Sequence, residues 1–142
     1  MQRRKAKVTL PTHVMIPRKT MDDKRVNINL NQYRNWNYRV ETQIKHLYKD
    51  LCSEALKDTK EFLSPVRIKY RLFRGNKRSC DTNNVLCIID KYFQDVLKER
   101  HIEDDDYKHV VATEFIFGGL HKGEHYVEVT IEEIDHVTNN GS

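Results

Sequence analysis

Two sets of residues in this chain are of types that could handle a phosphate ester, and they adjoin each other in the sequence. Residues 65 to 79 carry six cations, Arg67, Lys69, Arg71, Arg74, Lys77 and Arg78, and no acid. Just beyond them, Asp81 opens an apolar segment that also holds Asn84, Lys91 and Asp95, and Glu103-Asp104-Asp105-Asp106 follows it. Four adjacent acids repel one another unless solvent or a cation relieves them. Hard divalent ions such as Mg²⁺ take oxygen ligands, often one or two carboxylates together with water and substrate phosphate. A cationic strip beside such a cluster suits a polyanion held near a bound metal. The plainer reading is a solvated acidic loop and an ordinary charged surface, and charge alone does not separate the two.

The elements around these residues decide whether they can meet. Val66, Ile68, Tyr70 and Leu72 alternate with Arg67, Lys69 and Arg71, which predicts a strand with one buried and one strongly basic face. Gly75-Asn76-Lys77-Arg78 reads as a basic turn. From Asp81 to about Glu99, Val85, Leu86, Ile88, Ile89, Tyr92, Phe93, Val96 and Leu97 form a wide apolar helical face, suited to burial against a sheet or a partner subunit. At about 100° per residue, Asp81, Asn84, Lys91 and Asp95 share a stripe about 80° wide, with Asp90 on the opposite side. An (i, i+4) Lys91–Asp95 pair and an Asp81 favoured by the helix dipole would explain that stripe without any chemistry.

Upstream, Lys7-Val8-Thr9-Leu10 and the stretch from Arg25 to Leu30 alternate as half-buried strands do, separated by a long loop marked by Pro11, Pro17 and Asp22-Asp23. Asn31 is placed to cap a helix running to about Lys57, with Trp36, Val40, Ile44, Leu47, Tyr48, Leu51 and Ala55 on its apolar face. Downstream, His109 to Phe117 and His125 to Ile131 read as a hairpin across Gly118-Gly119 and Gly123. Residues 135 to 142 read as a polar, loose tail. The expected architecture is a single α+β domain over residues 1 to 134, with a small mixed or antiparallel sheet packed by two main helices.

Composition sets outer bounds on function. The chain has 142 residues, a mass of 17.0 kDa and a mean hydropathy of −0.77, which suit one domain with a real core. Twenty-five Lys and Arg against 21 Asp and Glu give a net charge of +4, so the local segregation of sign matters more than the total. No apolar run approaches the ~20 residues of a membrane span. The basic Met1 to Lys5 is followed by no apolar signal region. Cys52, Cys80 and Cys87 include no CxxC pair and suit reduced thiols, so the expected location is the cytoplasm.

In the order of these motifs the chain resembles the RusA family of Holliday junction resolvases, Mg²⁺-dependent endonucleases found mostly in bacteria, prophages and phages. The family pattern is a basic strand, Asp-x-Asp-Asn, a helix containing Lys-x-x-x-Asp-[small]-Leu, and an Asp-Asp pair leading into a strand. The matching residues are Asp81-Thr82-Asn83-Asn84, Lys91 to Leu97 with Asp95 inside, and Asp104-Asp105-Asp106, within a match spanning about residues 65 to 132. This chain carries Asn83 where the family has a second carboxylate, and four extra residues between Asn84 and Lys91.

The resemblance implies a homodimer that binds four-way DNA junctions and makes paired cuts in strands of like polarity. It assigns Mg²⁺, with Mn²⁺ as a substitute, to Asp81 and Asp105, with Asp104 next, and places Lys91 against the charge of the transition state. Asn84, Asn83 and Asp95 would support that site, and Arg67, Lys69, Arg71, Arg74, Lys77 and Arg78 would contact phosphates. The alternatives are a DNA-junction-binding protein without catalysis and a small partner-binding protein. A zinc site built on His101, His109, His121 and His125 lacks the spacing of a zinc motif, and no nucleophilic Cys or Ser signature is present. Trp36, Tyr38 and Phe73 are candidates for stacking on bases, with Trp36 the better core residue.

Overall fold

The computed structural model describes residues 3–76, 81–100 and 110–134. In chain order the elements are β1 (Lys5–Pro11), β2 (His13–Ile16), β3 (Lys24–Asn27), α1 (Leu30–Asn35), α2 (Tyr38–Ala55), β4 (Val66–Arg74), α3 (Thr82–Arg100), β5 (Val110–Leu120) and β6 (Tyr126–Glu133). Four strands form a mixed sheet in the order β1-β6-β4-β5, and β2 and β3 form a separate antiparallel ribbon. The expected single α+β domain is found, with three helices among the described residues rather than the two main ones expected. No helix among the described residues is long and apolar enough to cross a membrane.

The alternation read in residues 66 to 72 is what seats β4 in the sheet. Val66, Ile68, Tyr70 and Leu72 are buried, and with Val127, Val129 and Ile131 of β6 they make the apolar side of the sheet. Helix α3 lies on that side. All eight residues of its expected apolar face, from Val85 to Leu97, are buried. Tyr70 meets Phe93 edge-on at 6.0 Å, and its hydroxyl donates to Asp90, which also accepts from Gln94 Nε2 at 2.8 Å. Burial raises the Asp90 carboxyl above its ordinary range, against the lowering effect of its Tyr70 and Gln94 donors. Beside α3, α2 packs through Ile44, Tyr48 and Cys52, with Tyr48 Oη donating to Pro11 O at 2.7 Å, and Tyr92 Oη donates to Glu41 Oε2 at 2.8 Å. Burial pushes the Cys52 thiol up to about 12, which makes it a core group and not a nucleophile.

The structure corrects two expectations. The segment after Leu30 is two helices, because asparagines at 29 and 37 each cap a start: Asn29 Oδ1 accepts from Gln32 N at 2.8 Å, and Asn37 Oδ1 from Val40 N at 2.9 Å. Between them Trp36 is extended and packs edge-on against Tyr33 at 5.8 Å. Residues 110 to 131 are also not a hairpin. β5 runs parallel to β4 and β6 antiparallel to it, so β4 lies between them. Parallel neighbours require a crossover, and α3 supplies it. The 121–125 turn then passes the end of β4, with His121 N donating to Arg74 O at 2.8 Å and Gly123 N to Gly75 O at 3.2 Å.

At the opposite end of the sheet a buried carboxylate joins three segments. Glu133 accepts from Arg4 N at 2.7 Å, Leu63 N at 2.6 Å and Ser64 N at 3.2 Å. Burial alone would raise this carboxyl, but the three backbone donors and the Arg4 charge hold it below its ordinary 4.5. Its folded pKa is thus lower than its unfolded one. The stabilisation is therefore complete above the unfolded value and is lost as pH falls through the lower folded value. Glu133→Gln should cost about 2 kcal/mol in urea unfolding at pH 7 and much less at pH 3; an equal cost at both would contradict this reading.

Candidate functional site

A cavity of about 490 Å³ lies where β4 ends and α3 begins, lined by Thr12, Arg25, Asn27, Ile28, Asn29, Asn31, Arg74, Asn76, Asp81, Asn84, Val85 and His125. Three of these are residues that the sequence marked for chemistry. Asp81 stands immediately before α3: its Oδ1 accepts from Asn83 N at 2.9 Å, and its carbonyl receives Val85 N at 3.3 Å. It thus acts as the helix cap. Asn84 is half-buried one turn on, whereas the Asn83 side chain is exposed. Arg74 enters from the last position of β4.

Strand alternation divides the expected basic face. Arg67, Lys69 and Arg71 point away from α3, onto the open side of the sheet, and line a shallow cavity of about 200 Å³ with Lys5, Lys7, Glu128, Thr130 and Glu132. Arg67 pairs with Glu132 at 3.5 Å and Lys7 with Glu128 at 3.4 Å, so acids from β6 offset part of that charge. Arg74 has the opposite parity and lies with Asp81. Phe73 shares the open side and stacks on Tyr126, with centroids 4.8 Å apart and planes at 15°. Tyr38, at the start of α2, is 85% exposed.

The helical stripe is real in angle but long in reach. Lys91 and Asp95 face as Asp81 does, yet ten residues at 1.5 Å each put Lys91 about 15 Å along the axis from Asp81. Neither residue lines the cavity. Lys91 is exposed with its ammonium 6.0 Å from the Tyr92 ring centre, and among the described residues it forms no ion pair with Asp95. Asp104, Asp105 and Asp106 lie outside the described residues, as do Lys77, Arg78 and the tail from 135. Among the described residues no cluster of three His, Cys, Asp or Glu could hold a metal ion.

The sequence reading passed over Arg25 and weighed His125 only as a zinc ligand. The signal for Arg25 was the alternation of Arg25-Val26-Asn27-Ile28-Asn29, which buries Val26 and Ile28 and turns Arg25, Asn27 and Asn29 to the other side. Arg25 Nε donates to Asn27 Oδ1 at 3.2 Å. His125 is set by the end of β4: Gly75 N donates to its Nδ1 at 3.1 Å, leaving Nε2 to carry the proton of the neutral ring. That fit requires glycine, since a Cβ at 75 would stand 2.6 Å from Glu124 N. A third cavity, of about 410 Å³, shares Arg25 and His125 with the first and is lined further by Thr9, His13, Gly123, Glu124 and Tyr126.

Burial lowers the His125 imidazole below its ordinary 6.5, and the Arg74 and Arg25 charges lower it further. His13 is lowered by burial and then by Arg25 and His125. Comparison of the chain with protein-family models and with curated proteins finds no match to either. The site therefore rests on its own chemistry: one carboxylate, five asparagine amides, two guanidinium groups and an imidazole around a polar cavity. His125 should titrate below 6.5 by NMR, and Arg74→Gln should move it upward; a downward movement would refute the electrostatic picture.

Proposed function

We propose that the protein is a Mg²⁺-dependent endodeoxyribonuclease of the RusA type that resolves four-way DNA junctions. The observation that carries the reading is the meeting of Asp81 and Asn84, at the head of α3, with Arg74 in one polar cavity at the end of the cationic strand β4. The motif order that resembles the family supplies the reaction class. Arg67, Lys69 and Arg71 on the open side of the sheet supply cations for phosphate contacts that carry no base readout. The reading extends to a homodimer working on DNA in the cytoplasm.

The donor chemistry suits a hard cation. Asp81 uses Oδ1 in the helix cap and has Oδ2 for a ligand, and the Asn84 amide oxygen lines the same cavity. Mg²⁺ commonly takes one or two carboxylates and completes its shell with water and phosphate oxygens. Asp105, with Asp104 next, is the proposed source of the second carboxylate. When bound, the ion would polarise the phosphodiester and make its water a better nucleophile. Arg74, which lines the cavity as Lys91 does not, would offset charge on the phosphoryl oxygens as attack proceeds. In this reading Lys91 contributes at a distance from Asp81, either to the bound DNA or across the dimer.

A second reading has a specific observation behind it. With Asn83 neutral, Asp81 is the one carboxylate among the described residues that line the cavity, against Arg25 and Arg74. That balance suits a junction-binding protein without cleavage. A synthetic four-way junction with Mg²⁺ separates the two. Cleavage by the parent protein, reduced at least about a hundredfold in Asp81→Asn and in Asp105→Asn, is the expected result; magnitudes of this order follow loss of a preorganised charge at a reacting phosphate. Binding with no cleavage by the parent would select the second reading, and equal cutting by parent and variants would refute the site.

A further inference from the structure

We infer that Arg25, Arg74 and His125 form a phosphodiester-binding site that holds the backbone of a DNA strand against Asp81. This rests on the nucleic-acid reading above and deepens it, since neither the cationic run nor the family motifs include Arg25 or His125.

Three observations converge. The first is the charge balance of the cavity. Two guanidinium groups face one carboxylate, and among the described residues neither Arg25 nor Arg74 forms an ion pair. Among the described residues the buried Arg74 Nε has no hydrogen-bond acceptor. A buried charged donor without an acceptor is costly unless an anion completes it. The planar fork of Arg suits the two oxygens of a phosphate, which accept hydrogen bonds in the same plane.

The second is how firmly the three groups are held. They come from β3, the end of β4 and the turn before β6, so no local helix or loop propensity gathers them. Three contacts fix the meeting of Arg74 and His125: His121 N on Arg74 O, Gly123 N on Gly75 O, and Gly75 N on His125 Nδ1, while Arg25 is held through its Nε on Asn27 Oδ1. The close approach of Gly75 to Glu124 leaves that turn little freedom. With Nδ1 occupied by the Gly75 amide, His125 keeps Nε2–H as its donor, so the ring can serve a phosphate oxygen while neutral.

The third is that two cavities adjoin at the same residues. Arg25 and His125 line both the cavity at Asp81 and the one reaching Thr9 and Tyr126. A ligand bridging them would pass these two donors and continue on either side. An inorganic phosphate would occupy one of the two cavities, whereas a polynucleotide strand, with phosphates at regular intervals, would reach both.

The test uses the full chain and three probes. Titration with inorganic phosphate, read by ¹⁵N NMR of arginine Nε–H groups, should shift Arg25 and Arg74 saturably. A short single-stranded oligonucleotide should produce the same shifts at much lower concentration. A fluorescent four-way junction in EDTA should bind Arg25→Gln/Arg74→Gln at least about tenfold more weakly than the parent. The slope of log affinity on log salt should be shallower by about two, one unit for each phosphate no longer neutralised. Arg25→Lys/Arg74→Lys should regain part of the affinity, which a misfolded variant would not, and Lys57→Gln, outside both cavities, serves as the reference. Saturable phosphate shifts without any junction affinity would uphold this site and sink the junction reading. Junction affinity that the Gln pair leaves unchanged, with no phosphate shifts at Arg25 or Arg74, would overturn the inference and leave the nuclease reading standing.

Discussion

The packing of α3 on one side of β4 is the constraint from which the candidate site follows. β4 is bonded on both edges, so its direction is fixed by β5 and β6 together. Its even-numbered side chains from Val66 to Leu72 can only be buried if something covers them, and α3 carries the apolar face that does so. Each buried side chain of this kind contributes about 1.5–3 kcal/mol relative to exposure. The Tyr70–Asp90 hydrogen bond adds register to that apolar contact, because a slid or rotated helix would strand a half-buried carboxyl. Once register is set, the chain leaving Arg74 must return to the head of α3, and Asp81 is brought to the end of the strand.

The same constraint gives the sheet two chemically different sides. Odd positions of β4 send Arg67, Lys69 and Arg71 to the open side, where β6 answers with Glu128 and Glu132. Arg74 falls on the other parity and enters a cavity where Asp81 is the acid among the described residues that line it. One side thus carries partly compensated charge spread over a surface, and the other carries concentrated charge in a recess. Diffuse charge suits attraction and orientation of a polyanion; a recessed guanidinium suits a single phosphate held for a purpose.

Much of this was legible in the sequence, for reasons that differ by element. The α3 face was readable because Val85 to Leu97 supply enough apolar residues at helical spacing for one period to dominate. The two faces of β4 were readable because residues 66 to 72 alternate without a break. The partners of a strand are not written in its own alternation, which is why residues 110 to 131 suggested a hairpin and proved to straddle β4. The break at Trp36 was hidden because the apolar period continues across it, while Asn29 and Asn37, which cause it, act through single hydrogen bonds. In the site, Asp81, Asn84 and Arg74 were found by local pattern. Arg25 and His125 were not, since their meeting depends on the β2–β3 ribbon and the 121–125 turn converging on the end of β4. Helical angle also overstated the reach of the stripe, because it takes no account of the axial distance between Asp81 and Lys91.

The most direct measurement of the central claim is a crystal structure of Asp81→Asn bound to a four-way junction in the presence of Ca²⁺. The account predicts a backbone phosphate in the recess at the head of α3, with Arg74 on its oxygens and duplex arms running over Arg67, Lys69 and Arg71. DNA lying wholly on the open side of the sheet, with the recess filled by water alone, would contradict it.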